Sequence, residues 1–391
     1  MLILIDMMSK NSIISSLRAN ASNVRGWRTN RHIVVIESDD WGSIRMSSLE
    51  AFDRMIKAGM HEDRDHFNVN DALESNKDLE ELFNVLAHFK DSTGRPPVMT
   101  GVNVVANPIF DKIRESGYNE YYYEPYIETC CRYPEHNRVY DLWKKGIDSR
   151  LIVPIFHGRE HLNVQRWLRA LRNGNKSTLL AFDNGVTGIY NGINDEPIPE
   201  FQAAFDLDSL DDLLYMKEVI STGLNLFEEL YGYRAKFFVP TNGPFNNTLE
   251  KDLFDAGVQY INTGKKQREP LGNGQYRVNT RFLGGKNQYG QIYLTRNCFF
   301  EPSATGYVVP INYDWVGTCL KQIEIAFRWH KPATISSHRV NYIGWLHPEN
   351  RENSLRRLNE LLTQIIKHWP DVEFMTSVEL GDLIFENNTN C

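Results

Sequence analysis

The chain has 391 residues, 41% hydrophobic, 24% charged and 12% aromatic, with a formal net charge of −7. That is ordinary globular composition with room for a large core, built as one elaborated domain or as two. The modest acidic balance and the lack of a basic stripe argue against nucleic acid as the main partner, and no stretch approaches the roughly 18 apolar residues of a membrane span.

Five cysteines, Cys130, Cys131, Cys298, Cys319 and Cys391, form no CxxC pair. The odd count argues against a disulfide framework and for reduced thiols in a cytoplasm. Residues 1–6 have no basic leader, and their apolar run is cut short by Asp6, so they are not read as a signal peptide. A cytoplasmic location is expected.

In chain order, strand-like runs fall at 32–39, 97–105, 151–157, 235–240, 257–262, 291–295, 333–337 and 372–376. Helical stretches lie between most of them. Residues 47–60 carry Ser47 as a cap with Glu50 three residues on. Residues 76–90 place Leu79, Leu82, Phe83 and Leu86 on one face, 207–231 end near Gly232, and 353–369 stop at Pro370. His61, Asp63, Asp65 and His66 read as a solvated loop. Strands alternating with helices predict parallel βα units, and eight or so of them predict a barrel. Residues 171–205 and 264–312 break the alternation and read as insertions on one barrel, because neither holds apolar residues enough for its own core.

Three strand ends carry titratable residues. The run 32–40 ends in Asp39 and Asp40, 151–161 ends in His157 and His161, and 333–338 ends in His338. In α/β folds ligands bind beyond the carboxyl ends of strands. Successive strand side chains point to opposite sides, so one of the two aspartates can ligate a metal while the other faces a substrate. His157 and His161, four apart on a helical turn, would share a face and reach one ion. One Asp and two His suit a divalent metal with open positions. His338 has an ordinary pKa near neutral and can give or take a proton.

The order and contexts of these pieces resemble the polysaccharide deacetylase family with the NodB homology domain, carbohydrate esterase family 4. The strand-ending Asp-Asp pair, the His-x-x-x-His pair and the late strand-ending His match Asp39-Asp40, His157 with His161, and His338. Residues 231–246 look like the family's Arg-Pro-Tyr motif, Ala256-Gly257-Val258 fit its sequel, and 372–380 look like its final strand and short helix. The resemblance covers about 32–380 and implies a distorted (β/α) barrel of seven or eight strands. The chain departs from the family pattern in having Trp41 before Gly42 and Gly158 after the first His. It also has Val239 where the motif Arg precedes Pro240. That Arg holds the catalytic Asp in the family, so Asp39 would lack its cation unless Arg234, Arg296 or another side chain supplies one.

The resemblance implies a metal-dependent hydrolase that removes an acyl group, N-acetyl first, from a sugar or polysaccharide, acting on C–N bonds other than peptide bonds. Asp40, His157 and His161 would hold one divalent ion, Zn²⁺ first, with Co²⁺, Ni²⁺ or Mn²⁺ as alternatives. Asp39 would be the general base and His338 the general acid. Trp41, Pro240, Tyr342 and Trp345 are candidate walls for the sugar and its acetyl methyl, and equally candidates for the core. Two rivals remain. One is a non-catalytic carbohydrate-binding protein on the same barrel. The other is a zinc peptidase, since His157-Gly-Arg-Glu160-His161 also satisfies His-x-x-Glu-His with Glu160 as base.

Overall fold

The computed structural model describes residues 12–389. Thirteen strands are found among them: β1 (Ile33–Trp41), β2 (Met99–Val104), β3 (Ala106–Pro108), β4 (Tyr123–Pro125), β5 (Ile152–Gly158), β6 (Phe237–Phe238), β7 (Tyr260–Asn262), β8 (Lys266–Gly272), β9 (Gln275–Thr280), β10 (Ile292–Leu294), β11 (Cys298–Phe299), β12 (Ala333–His338) and β13 (Glu373–Met375). Eight of them follow one path in the order β10-β7-β6-β5-β2-β1-β12-β11, and β13 pairs the start of β1. Every pairing in this sheet is parallel. Short hairpins β3-β4 and β8-β9 stand apart.

The path curls because the chain leaves it no alternative. Its two ends, β10 and β11, are separated only by Thr295, Arg296 and Asn297. Four backbone steps reach at most about 14 Å, so one short segment draws the opposite edges of the sheet together. The result is a distorted (β/α) barrel.

β1 is buried along its whole length, which explains its unbroken apolar run. Its side chains alternate between two cores. Val34 and Ile36 join the large cluster under the surrounding helices. Ile33 and Val35 pack with Val102, Ile155, Phe237, Leu294 and Met375 in the second. Helix Asp212–Tyr231 lies against β5 and ends at Gly232, whose φ of 77° gives the left-handed cap expected of a helix stop.

Several local expectations shift. Ser48, not Ser47, caps the first of the predicted helices, accepting from the Ala51 amide, and the helix runs Leu49–Lys57. Ser75 and Asp78 form a reciprocal capping box ahead of Asn76–Ala87. The late helix begins earlier than its apolar pattern, at Pro348, where a missing N–H costs nothing. The stretch 171–205 contains helix Lys176–Asp183, and 264–312 contains the β8-β9 hairpin. The β8-β9 hairpin leans on the segment that follows the first stretch, for the Asn273 amide donates to the Asp208 carbonyl (2.8 Å) and the Tyr276 hydroxyl to Asp206 (2.8 Å). Among the described residues Cys130, Cys131, Cys298 and Cys319 are free, and no helix is long and apolar enough to cross a membrane. The readings of residues 1–6 and of Cys391 lie outside the described residues.

Candidate active site

The carboxyl ends of β1, β5 and β12 meet at one mouth of the barrel. Asp39 lies opposite His338 in the β1-β12 register. Alternation does not separate Asp39 from Asp40 as the sequence suggested. β1 advances three residues, Ser38 to Trp41, while β2 advances two, and Asp40 takes a φ of 77°. This bulge re-aims the pair, so that both carboxylates face the same group of histidines.

Asp40, His157 and His161 come together with ligand atoms within 4.8 Å of one another, the one such metal-sized group among the described residues. The Asp40 Oδ1 lies 3.5 Å from His157 Nε2 and 3.0 Å from His161 Nε2. His157 is fixed through its other nitrogen, since Nδ1 lies 2.7 Å from the Val239 carbonyl. That contact assigns the proton to Nδ1 and leaves the Nε2 lone pair facing Asp40. His157 Nε2 and both ring nitrogens of His161 are buried with no aligned hydrogen-bond partner among the described residues. Buried nitrogens are costly to leave unpaired, and their convergence on a carboxylate fits a divalent cation.

His157 and His161 do not share a helical turn. His157 is on β5, residues 159–163 are irregular, and the next helix starts at Val164. Gly158, with a φ of 144°, makes the bend in a conformation that L side chains rarely adopt. This also removes the helix required by the zinc-peptidase alternative, and Glu160 is tied up in an ion pair with Arg159 at 2.7 Å.

The cation beside Asp39 that position 239 does not supply comes from elsewhere in the chain. Arg296, in the link between β10 and β11, forks onto Asp39 with Nη1 to Oδ2 at 2.6 Å and Nη2 to Oδ1 at 2.5 Å. Its Nε donates to Glu37, which is buried and also accepts from Asn262 (2.6 Å) and Ser377 (2.6 Å). Arg234 is the wrong candidate, being largely exposed and paired with Glu228. Burial pushes the Asp39 carboxyl up, yet the Arg296 charge and hydrogen bonds prevail and its pKa is lowered. Val239 contributes a backbone carbonyl to His157 rather than a cation to Asp39.

His338 has a carboxylate partner of its own. Its Nδ1 lies 2.6 Å from Glu301 Oε2 and its Nε2 3.9 Å from Asp39 Oδ2. Asn341 donates to the other Glu301 oxygen at 2.7 Å. Burial lowers the His338 pKa, but the Glu301 charge and hydrogen bond raise it to about 9. The ring therefore carries a proton at neutral pH. Sequence reading missed Glu301 because it lies in the irregular stretch 264–312 with no periodic pattern around it.

The aromatic candidates fare differently. Trp41 and Tyr342 are fully buried and stacked at 6.4 Å, and the Trp41 indole donates to Ser38 (2.9 Å). They serve the core and present no face to a sugar. Trp345 packs against His136 (4.9 Å) in a satellite cluster, and Pro240 is buried. The loop 61–66 is not uniformly solvated either, since His66 is fully buried with its ring tilted against Phe67 at 4.2 Å, which in turn meets His338 at 5.3 Å.

No protein-family model and no curated relative matches the chain. Solved structures give distant likenesses. One is a chain from Mycobacterium smegmatis named as a polysaccharide deacetylase, at 12% identity over 93% of this chain and 94% of that one, with a TM-score of 0.42. An allantoinase gives 10% identity over 91% of each chain and a TM-score of 0.43. A GH57-type branching enzyme from Pyrococcus horikoshii gives 9% identity over 90% of this chain and 70% of that one, with a TM-score of 0.44. At these values the likenesses carry no argument.

Proposed function

We propose that this chain is a divergent member of the polysaccharide deacetylase family, a metal-dependent hydrolase that removes an acyl group, N-acetyl first, from a sugar. The observation that carries this reading is the meeting of Asp40, His157 and His161 beside two oppositely prepared proton carriers, Asp39 held by Arg296 and His338 held by Glu301. The sugar substrate rests on the sequence resemblance.

Asp40, His157 and His161 would hold one divalent ion, Zn²⁺ first, with Co²⁺, Ni²⁺ or Mn²⁺ able to use the same donors. Such an ion supplies Lewis acidity toward the acyl carbonyl and acidifies water. The chain's own groups do the rest. Asp39 is ionised at working pH and accepts the proton of the attacking water. The Arg296 fork prevents the carboxylate from rotating. His338 enters protonated, and its Nε2 faces Asp39 while Nδ1 is pinned by Glu301. It gives its proton to the departing amine, which otherwise leaves poorly as an anion. The two pKa values are pushed apart by their partners, as paired acid and base roles require.

The test is a screen of N- and O-acetylated sugars with acetate release as readout, run on the chelated and the metal-reloaded chain. Ion-dependent release that Asp39→Asn abolishes is the expected result. A well-loaded chain that releases acetate from none of them would defeat the proposal in favour of a binding role.

A further inference from the structure

The second histidine ligand poses a problem of placement. His161 sits on the irregular segment 159–163 and neither ring nitrogen has a hydrogen-bond partner among the described residues. Metal-ligating histidines are ordinarily aimed by a hydrogen bond to the free ring nitrogen. Nothing of that kind aims His161, so its position must come from the backbone that carries it.

That backbone is held by the residue two positions before it. Arg159 is 1% exposed. Its Nε and Nη2 fork onto Glu160 at 2.7 and 3.1 Å, Nη2 also reaches the Tyr215 hydroxyl at 2.8 Å, and Nη1 donates to the Thr222 hydroxyl at 3.0 Å. The Tyr123 ring covers the guanidinium at 4.1 Å. The Arg159 carbonyl accepts from the amides of Val105 (3.0 Å) and Ala106 (2.7 Å). Helix Asp212–Tyr231 comes very close here, since a Cβ on Gly223 would meet the Arg159 Cβ at 3.1 Å and the Phe156 ring at 2.8 Å. A planar, always charged fork can satisfy these partners together, which an ammonium cannot.

We propose that Arg159 is a positioning residue for the metal site, a buried clamp that ties the ligand-bearing loop to helix Asp212–Tyr231 and to β4 and thereby aims His161 at the ion. This rests on the metal reading above and adds to it a residue that touches neither ion nor substrate. Glu160, which the peptidase motif would make a base, is the counter-charge of the clamp.

The experiment measures Zn²⁺ affinity by chelator competition and the Co²⁺ d–d absorption of the full chain. It compares the wild type with Arg159→Met/Glu160→Gln, in which no unpaired charge is left buried, and with Tyr215→Phe/Thr222→Val, which keeps the ion pair and cuts the tether. Far-UV circular dichroism verifies that each is folded. Loss of an outer partner of a metal site typically costs roughly 10- to 100-fold in affinity, and that is the rise in Kd expected for the first variant, with a smaller rise for the second. A residue of purely structural value would lower the folded fraction but leave the Co²⁺ spectrum of that fraction unchanged; a clamp that aims His161 shifts it. Arg159→Lys, which keeps the charge and loses the fork, is expected to resemble the first variant. Wild-type Kd and spectrum in the folded variants would overturn the clamp alone. A wild-type chain that takes up no ion would remove the metal reading and the clamp with it, before any variant is compared.

Discussion

Replacing Arg296 by Met tests how Asp39, the proposed general base, is held. Arg296 is the shared cation of two buried carboxylates, Asp39 at 7% and Glu37 at 0% exposure. Glu37 would keep its bonds from Asn262 and Ser377, whereas Asp39 would lose both arms of the fork. Removing one partner of a buried pair costs about 3–5 kcal/mol, because the other charge is left uncompensated. The loss should depend on pH in a definite direction. In the wild type the folded pKa of Asp39 is depressed, so its contribution is complete above the unfolded value of about 3.9 and fades as pH falls through the lower folded value. In the variant, burial without the cation raises the folded pKa above the unfolded one, so the ionised carboxyl is penalised at neutral pH and relieved on acidification. The stability difference should therefore be widest near neutrality and narrow toward about pH 4.5. Urea unfolding of chelator-treated protein at both pH values measures it. A difference below about 1 kcal/mol, or one that does not change with pH, would refute the argument that Arg296 does the work of the missing motif Arg.

Other outcomes follow from the same geometry. His157→Ala and His161→Ala should each lose the bound ion, and unchanged metal content in both would remove the proposed ligand set. Asp39→Asn should keep the ion and lose about 10²- to 10⁴-fold in rate, whereas Asp40→Asn should weaken ion binding and be partly rescued by excess metal; the reverse pattern would exchange their roles. Glu301→Gln removes the charge that lifts His338 to about 9. The basic limb of kcat/KM should then move toward neutrality, since the ring is an acid only below its pKa, and an unmoved limb would exclude His338 as the acid.

Much of the fold and of the site is legible in the amino-acid sequence, for reasons that differ from place to place. All eight apolar runs are strands of the barrel, because a strand buried on both faces leaves an uninterrupted hydrophobic signature. β11, two residues long, leaves none. The cluster of Asp40, His157 and His161 is readable because strand-end position and residue chemistry coincide. The shape of the second ligand loop is not, since four-residue spacing suits a helical turn and an irregular bend alike, and Gly158 decides between them. In the sequence Arg296 is only one of two spare cations. What selects it is the short link that draws β10 and β11 together, a property of the curled sheet that no local window contains. Glu301 approaches His338 across a gap of 37 residues, in a stretch with no periodic pattern to mark it.

The two strands that carry Asp40 and His157 share a feature absent from the strand between them. Where β1 pairs with β2, Ser38 faces Gly101 and Trp41 faces Asn103, so β1 has one extra residue at Asp39-Asp40. Where β5 pairs with β2, Phe156 faces Asn103 and Gly158 faces Val104, so the extra residue is His157. β2 is regular at both places and acts as the ruler against which its neighbours are each one residue too long. An extra residue cannot join the ladder, so its side chain is released from strict alternation and the strand bends. That is what two adjacent aspartates need in order to face one mouth, and what His157 needs in order to turn its Nε2 toward Asp40. The cost is visible at Asp40, held at a φ of 77°, which Asp tolerates better than most side chains but glycine better still. A fold selected for stability alone would place glycine there. Carboxylate at that position, beside buried nitrogens with no partner among the described residues, is the feature of this barrel that stability does not explain and the proposed metal site would.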